Sequence, residues 1–338
     1  MKQELFDLVR NDCLKSASYG RESIAHLRNQ SILITGGTGF VGKWLTEMVI
    51  CLNEEFGFNI QLHLLARDII SFRKAVPHLA NNKNVHLIEQ DIRSVVDLPD
   101  DIGWIIHAAN SPDSREHLSN PLKTIDVISR GTSAILEASL RLPNLNKFVY
   151  VSSSYIYGQT QGDCNSVNAT YGESKRMAET ICAVYRNQQR VPVMIVRPFS
   201  FLGPYQGLEK PWAINNFIRD GILGGPIRIL GNEGTVRSYL YGSDLAYWMC
   251  CILANGKVGS AYNLGSAHPI SLKQLAEKVV SNFGNKIEIV VKSSKDYPSA
   301  PSITIPDISS LVSDIGVQQM IDLETSLKQT LRWNILSR

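Results

Sequence analysis

The chain of 338 residues has six cysteines but no C-x-x-C pair, and no histidines cluster near them at ligand spacing. Those absences speak against a zinc site and a disulfide framework, and leave reduced thiols as the expectation. It also lacks any dense run of lysine or arginine. With 34 basic and 31 acidic residues, the net charge of +3 gives no basic face for nucleic acid. The longest apolar run, LAYWMCCILA at 245–254, is too short to cross a bilayer and reads as a buried helix. The opening MKQELFDLVRND is charged throughout and lacks the apolar centre of a signal peptide. The expectation is a cytoplasmic protein with no metal, nucleic-acid or membrane partner, acting on a small molecule.

Apolar residues make up 44 % of the chain, enough for one large domain or two coupled ones. Residues 1–30 read as a helical extension of mixed charge. Strand-like runs then stand at SILIT (31–35), 60–66, 84–90, 104–109, 147–153 and 191–197. Helix-length segments lie between them, at 44–56, 121–141 and 171–189. Strands rich in Ile, Leu and Val, joined by helices, predict a parallel sheet covered on both faces. After Pro198 glycine and proline become frequent and the elements shorten. A smaller lobe is expected over 199–338, partly interleaved with the first domain at 31–198.

TGGTGFVG, 35–42, follows the first strand and opens a helix. Gly36, Gly39 and Gly42 serve the tight turn, the close approach of a pyrophosphate and the packing of helix on sheet. The helix N-terminus then offers free N–H groups to phosphate. Gly36, Thr38, Gly39, Phe40 and Val41 are the expected dinucleotide contacts, in a Rossmann-like domain of doubly wound α/β type. The second strand ends in LLARD. Arg67 there suits a 2′-phosphate and leans the cofactor, NAD(P), towards NADP. The other reading is a surface arginine beside an Asp68 that binds the ribose. Asp91 and Ile92, after the third strand, are expected near the adenine; Asp91 reads equally well as a cap.

Tyr171 and Lys175 stand four apart on a helical segment, so they share one face. Of the 12 tyrosines only Tyr171 has a lysine at this spacing. A phenol, with a pKa of about 10, is a poor base at neutral pH. A neighbouring ammonium stabilises the phenolate and draws that pKa down. Upstream, a strand ends in VSSSYIYG, where a serine hydroxyl could hold the reacting oxygen.

The glycine loop, the HAA strand end at 107–109, the serine triplet, the Y-x-x-x-K pair, the RP closing a later strand and the late RSYLYGSDLA occur in this order. In that set the chain resembles the extended short-chain dehydrogenase/reductases, in particular the nucleotide-sugar epimerase/dehydratase group, over about residues 31–335. The resemblance implies a smaller C-terminal substrate-binding lobe, a nucleotide-sugar substrate and often a homodimer formed by helices 121–141 and 171–189. It implies Ser153 as the triad serine, Tyr171 as acid/base and Lys175 as its tuner. Ala108, Ala109 and Pro198 would line the cofactor. Ser111, Ser153, Tyr155, Ser200 and Arg237 would meet the substrate, Arg237 at the diphosphate or else bracing the domains.

The resemblance also says what is missing. Dehydratases of the group carry Asp and Glu after the triad serine, and decarboxylases a Glu at the second position; here stand Ser154 and Tyr155. Elimination by that route is disfavoured, because an unperturbed hydroxyl is a poor substitute for a carboxylate. Epimerisation or reduction of a 4-keto sugar needs only the Ser–Tyr–Lys set and is the expected chemistry. Dehydration or decarboxylation by another acid/base set, and a non-catalytic dinucleotide sensor, are the alternatives.

Overall fold

The apolar runs become a single parallel sheet. In the computed structural model, which describes residues 2–158, 166–284, 287–292 and 300–337, its strands are β1 (Ser31–Thr35), β2 (Gln61–Ala66), β3 (Val85–Glu89), β4 (Ile102–His107), β5 (Lys147–Val151), β6 (Val193–Pro198) and β7 (Ala261–Leu264). Cys164 lies outside these residues. The spatial order is β7-β6-β5-β4-β1-β2-β3, and every pairing is parallel. The chain order reverses between β1 and β4, which opens a crevice at their C-terminal ends.

Helices cover both faces. The principal ones are α1 (Lys2–Ala17), α2 (Phe40–Phe56), α3 (Ser114–Ser119), α4 (Pro121–Ser139), α5 (Thr170–Gln189), α6 (Gly242–Asn255) and α7 (Leu323–Leu336). Helix α2 starts at Phe40, four residues before the expected 44, because the glycine loop turns directly into it. Helices α4 and α5 pack side by side on one face. On the other face, every residue of α6 from Gly242 to Ala254 is buried, including the whole apolar run. Each large apolar side chain sequestered this way stabilises the fold by about 1.5–3 kcal/mol.

The N-terminal extension is one helix followed by a 3-10 turn, Arg21–Leu27, and not a continuous helix. Gly20, with φ 68°, makes the break. Helix α1 packs on α2 and α6, beneath the sheet. Beyond β6 a parallel pair, Ser200–Leu202 with Tyr239–Tyr241, adjoins a separate apolar cluster that includes Leu202, Phe217, Ile218, Tyr239 and Leu275. The chain then returns to the main sheet as β7. No helix among the described residues is long and apolar enough to cross a membrane.

Candidate active site

The glycine loop lies at the reversal of strand order. Gly36 has φ 69°, a backbone that side chains rarely adopt, and a Cβ on it would stand 2.7 Å from the Ala108 carbonyl oxygen. A Cβ on Gly42 would fall inside the Gly37 peptide. The loop therefore closes tightly on the end of β4, and Gly39, the residue before α2, gives the helix no side-chain cap. Its first N–H groups are left for an anion.

Beside this loop runs a cleft of about 310 Å³. Of the expected cofactor contacts, Gly36, Thr38, Gly39, Arg67, Asp91, Ile92 and Ala109 line it, as does Ser111 of the substrate set. Phe40 and Val41 turn away, packing against the core below the sheet, because they occupy the first turn of a helix whose inner face is apolar. Pro198 closes β6, and Ser200 opens the short strand after it.

The acidic residues at the strand ends are engaged within the protein. The Asp68 carboxylate accepts a 2.8 Å hydrogen bond from the Ser71 amide and caps the following helix, while Arg67 is exposed at the cleft. Asp91 caps the short turn at Ile92–Ser94 and is bound to Arg93 at 2.8 Å. Those bonds hold its carboxyl down at about 2. Arg237 directs its guanidinium to the carbonyl oxygens of Val236 and Ser302, at 2.8 and 3.0 Å, and to Ser302 Oγ at 2.9 Å.

Strand β5 runs out at Val151, and the serines behind it turn into a 3-10 helix, Ser154–Tyr157. Ser153 caps that turn, its Oγ accepting from the Tyr155 amide at 3.2 Å. Across from it, α5 brings Tyr171 and Lys175 to its buried face, at 8 % and 1 % exposure. Tyr171 donates to Asn110 Oδ1 at 3.3 Å, and Ser153 lies close enough to favour the ionised phenol. Tyr155, largely exposed, meets the Tyr171 ring edge-on at 5.4 Å.

Lys175 differs from the expectation. Its Nζ donates to the Val151 carbonyl oxygen at 2.7 Å and lies 5.9 Å from the centre of the Tyr171 ring. Burial pushes its pKa down to about 7. Burial also drives the Tyr171 phenol well above its usual range, and Ser153, not the ammonium, pulls the other way. The reason is distance: the ammonium is aimed at a carbonyl, so the loss of water around the phenol dominates.

Three neighbours carry no signal of their own in the sequence. Asn110 follows the HAA strand end, and His117 on α3 stacks on Tyr171 with ring centres 4.1 Å apart. His107 ties the site to the sheet, its Nδ1 2.6 Å from Thr35 Oγ1 and its Nε2 3.2 Å from Thr132 Oγ1. Burial and the nearby Lys175 hold its pKa down to about 3, so the ring is neutral. Only the fold brings Thr35, His107 and Thr132 together.

Comparison with known proteins agrees with this architecture. The model of the NAD dependent epimerase/dehydratase family matches residues 32–265. UDP-glucuronic acid decarboxylase 1 of Xenopus tropicalis is 28 % identical over 314 residues, covering 89 % of this chain and 71 % of that protein. Among solved structures, UDP-glucuronic acid 4-epimerase from Bacillus cereus, in complex with UDP-glucuronic acid and NAD, superposes with a TM-score of 0.77 at 22 % identity, over 91 % of this chain and all of that one (100 %). An epimerase from Methanothermobacter thermautotrophicus also gives 0.77, at 19 % identity over 95 % and 96 % of the two chains. These structures share the fold.

Proposed function

Because the chain belongs to the NAD-dependent epimerase/dehydratase family, we propose that it transfers hydride at a sugar carbon of a nucleotide sugar, as an epimerase or a 4-ketoreductase. The observation that carries this reading is that Tyr171, Ser153 and Lys175 are all buried and that Tyr171 bonds Asn110, which lines the cleft beside the glycine loop. When bound, the dinucleotide supplies hydride acceptance and return.

The residues of the chain handle the proton. In this reading Ser153 holds the reacting oxygen, and Tyr171 takes its proton during oxidation or supplies one during reduction. A phenol raised by burial is a reluctant base, so Lys175 has to leave the Val151 carbonyl or act through the ribose to lower it. Asn110 takes the phenol hydrogen bond in the resting site. Ser111 and Tyr155 border the sugar. In this reading Arg237, of the smaller lobe over 199–338, would have to turn its guanidinium from the Val236 and Ser302 oxygens to meet the diphosphate.

A second reading has its own support. The decarboxylases among the relatives suggest loss of carbon dioxide from a uronic acid, although Ser154 and Tyr155 offer no carboxylate for it. Incubation with UDP-glucuronic acid or UDP-glucose and NAD⁺, followed by NMR and mass spectrometry, separates the two. An epimer of unchanged mass supports the first reading, and a pentose product supports the second. Full turnover by Tyr171→Phe would refute Tyr171 as the acid/base.

Arg67 at the cleft, with Asp68 spent as a cap, supports NADP as the preferred dinucleotide. The outer face of α4 and α5 exposes Leu122, Ile125, Met177 and Val184. That apolar strip supports a homodimer through these helices. Light scattering would show twice the chain mass, falling to a single mass in Met177→Glu.

A further inference from the structure

Helix α3 presents one side chain to the acid/base. The His117 ring lies on Tyr171 with planes within 8° and centres 4.1 Å apart, and it is only 8 % exposed. It is itself pinned: Nε2 lies 2.7 Å from the Ser111 carbonyl oxygen. A carbonyl only accepts, so Nε2 carries the hydrogen and donates it. The phenol oxygen has a looser hold. Its bond to Asn110 is 3.3 Å long, and the nearby ammonium is committed to Val151. A long hydrogen bond tolerates swing of the ring, whereas a parallel ring on its face does not.

We propose that His117 is a positioning residue for Tyr171: stacked on the phenol and fastened to the Ser111 carbonyl, it fixes the angle from which the phenol exchanges its proton with the substrate oxygen. The inference rests on the reading of Tyr171 as acid/base.

Charge is not what His117 adds. Burial lowers its pKa and outweighs the Ser111 carbonyl, Glu116 and Asp113, which favour the cation, while Lys175 on α5 opposes it. Asp113 is itself held by Arg115 and Lys210, at 2.7 and 3.3 Å. A neutral ring that limits motion is what remains, and a misplacement of about 1 Å at a reacting group can lower a rate about 100-fold.

Two variants test this. His117→Ala removes ring and anchor; His117→Phe keeps a ring on the phenol. With ring-labelled tyrosine, the NMR signal lost in Tyr171→Phe identifies Tyr171. Its two ring edges are expected to be distinct in the wild type, to merge in His117→Ala and to separate again in His117→Phe. Merged edges in the wild type, or distinct ones in His117→Ala, overturn the proposal, and no substrate is needed. On UDP-glucuronic acid or UDP-glucose with NAD⁺, whichever turns over, His117→Ala is expected to lower kcat about 10- to 100-fold. KM and the Kd for NAD⁺ stay within about twofold, and His117→Phe recovers most of the loss. An unchanged kcat, or a raised KM in its place, overturns the inference. Full turnover by Tyr171→Phe would instead mark failure of the acid/base reading. An inactive Tyr171→Phe beside an unaffected His117→Ala removes this inference alone.

Discussion

The phenol of Tyr241 donates a 2.7 Å hydrogen bond to Oδ2 of Asp12, joining positions 229 residues apart. Nearby, Ser16 donates to Asp244 at 2.7 Å, and the amides of Met320 and Ile321 donate to the other oxygen of that carboxylate. Two buried carboxylates thus bind the N-terminal helix to the strand and helix that follow Arg237.

Both carboxyls are raised by burial to about 6. An acid that holds its proton more tightly when folded than when unfolded, where its pKa is about 3.9, favours the folded state more as pH falls from above 6 towards 4. The contribution of Asp12 to the melting temperature should therefore grow between pH 7.5 and 5.5. In Asp12→Asn, which keeps an acceptor for Tyr241, that part of the gain should vanish. Asp12→Ala strands the buried phenol and should cost about 1–3 kcal/mol in urea unfolding at neutral pH.

Lys175 gives the opposite slope. Its pKa is near 7 in the fold and about 10.4 in an unfolded chain, so burial of the charge weighs fully below pH 7 and fades as pH rises towards 10. Stability should increase from pH 7 to 9 in the wild type, and this component should disappear in Lys175→Met. Equal slopes in the two proteins would mean that the ammonium is better solvated than its position implies.

Gly42→Ala should abolish dinucleotide binding. The added methyl group has no space beside the Gly37 peptide, so loop and helix must separate. Calorimetric titration with NAD⁺ and NADP⁺ should show no binding to a protein that still folds, with a lowered melting temperature. Binding at wild-type strength would sink the assignment of this loop.

Arg67→Ala should weaken NADP⁺ and spare NAD⁺, since only the first presents a 2′-phosphate to the guanidinium. A loss of about tenfold in Kd for NADP⁺ alone is expected, about the weight of one exposed charge-assisted contact. Equal losses for both would refute the role.

The sequence by itself determined six of the seven strands of the sheet, the glycine loop and the Tyr171–Lys175 pair; the edge strand at Ala261–Leu264 joins only through the fold. Each is local: a short branched run, a turn only glycine can make, or two residues one helical turn apart carries its own signal. Tertiary structure decided what stands around them. His117, Asn110 and the Thr35–His107–Thr132 network come from separate elements, and no spacing announces contacts made across a sheet. The extension at 1–30 showed only helical character; it docks on α2 through a partner 45 positions on, Arg10 with Glu55, and beside α6 through partners more than two hundred positions away, Ser16 with Asp244 and Asp12 with Tyr241. Burial made the last difference. A lysine four residues after a tyrosine reads as its tuner, but where the ammonium points and how far each group is stripped of water depend on packing, and in this site they leave the phenol harder to ionise, not easier.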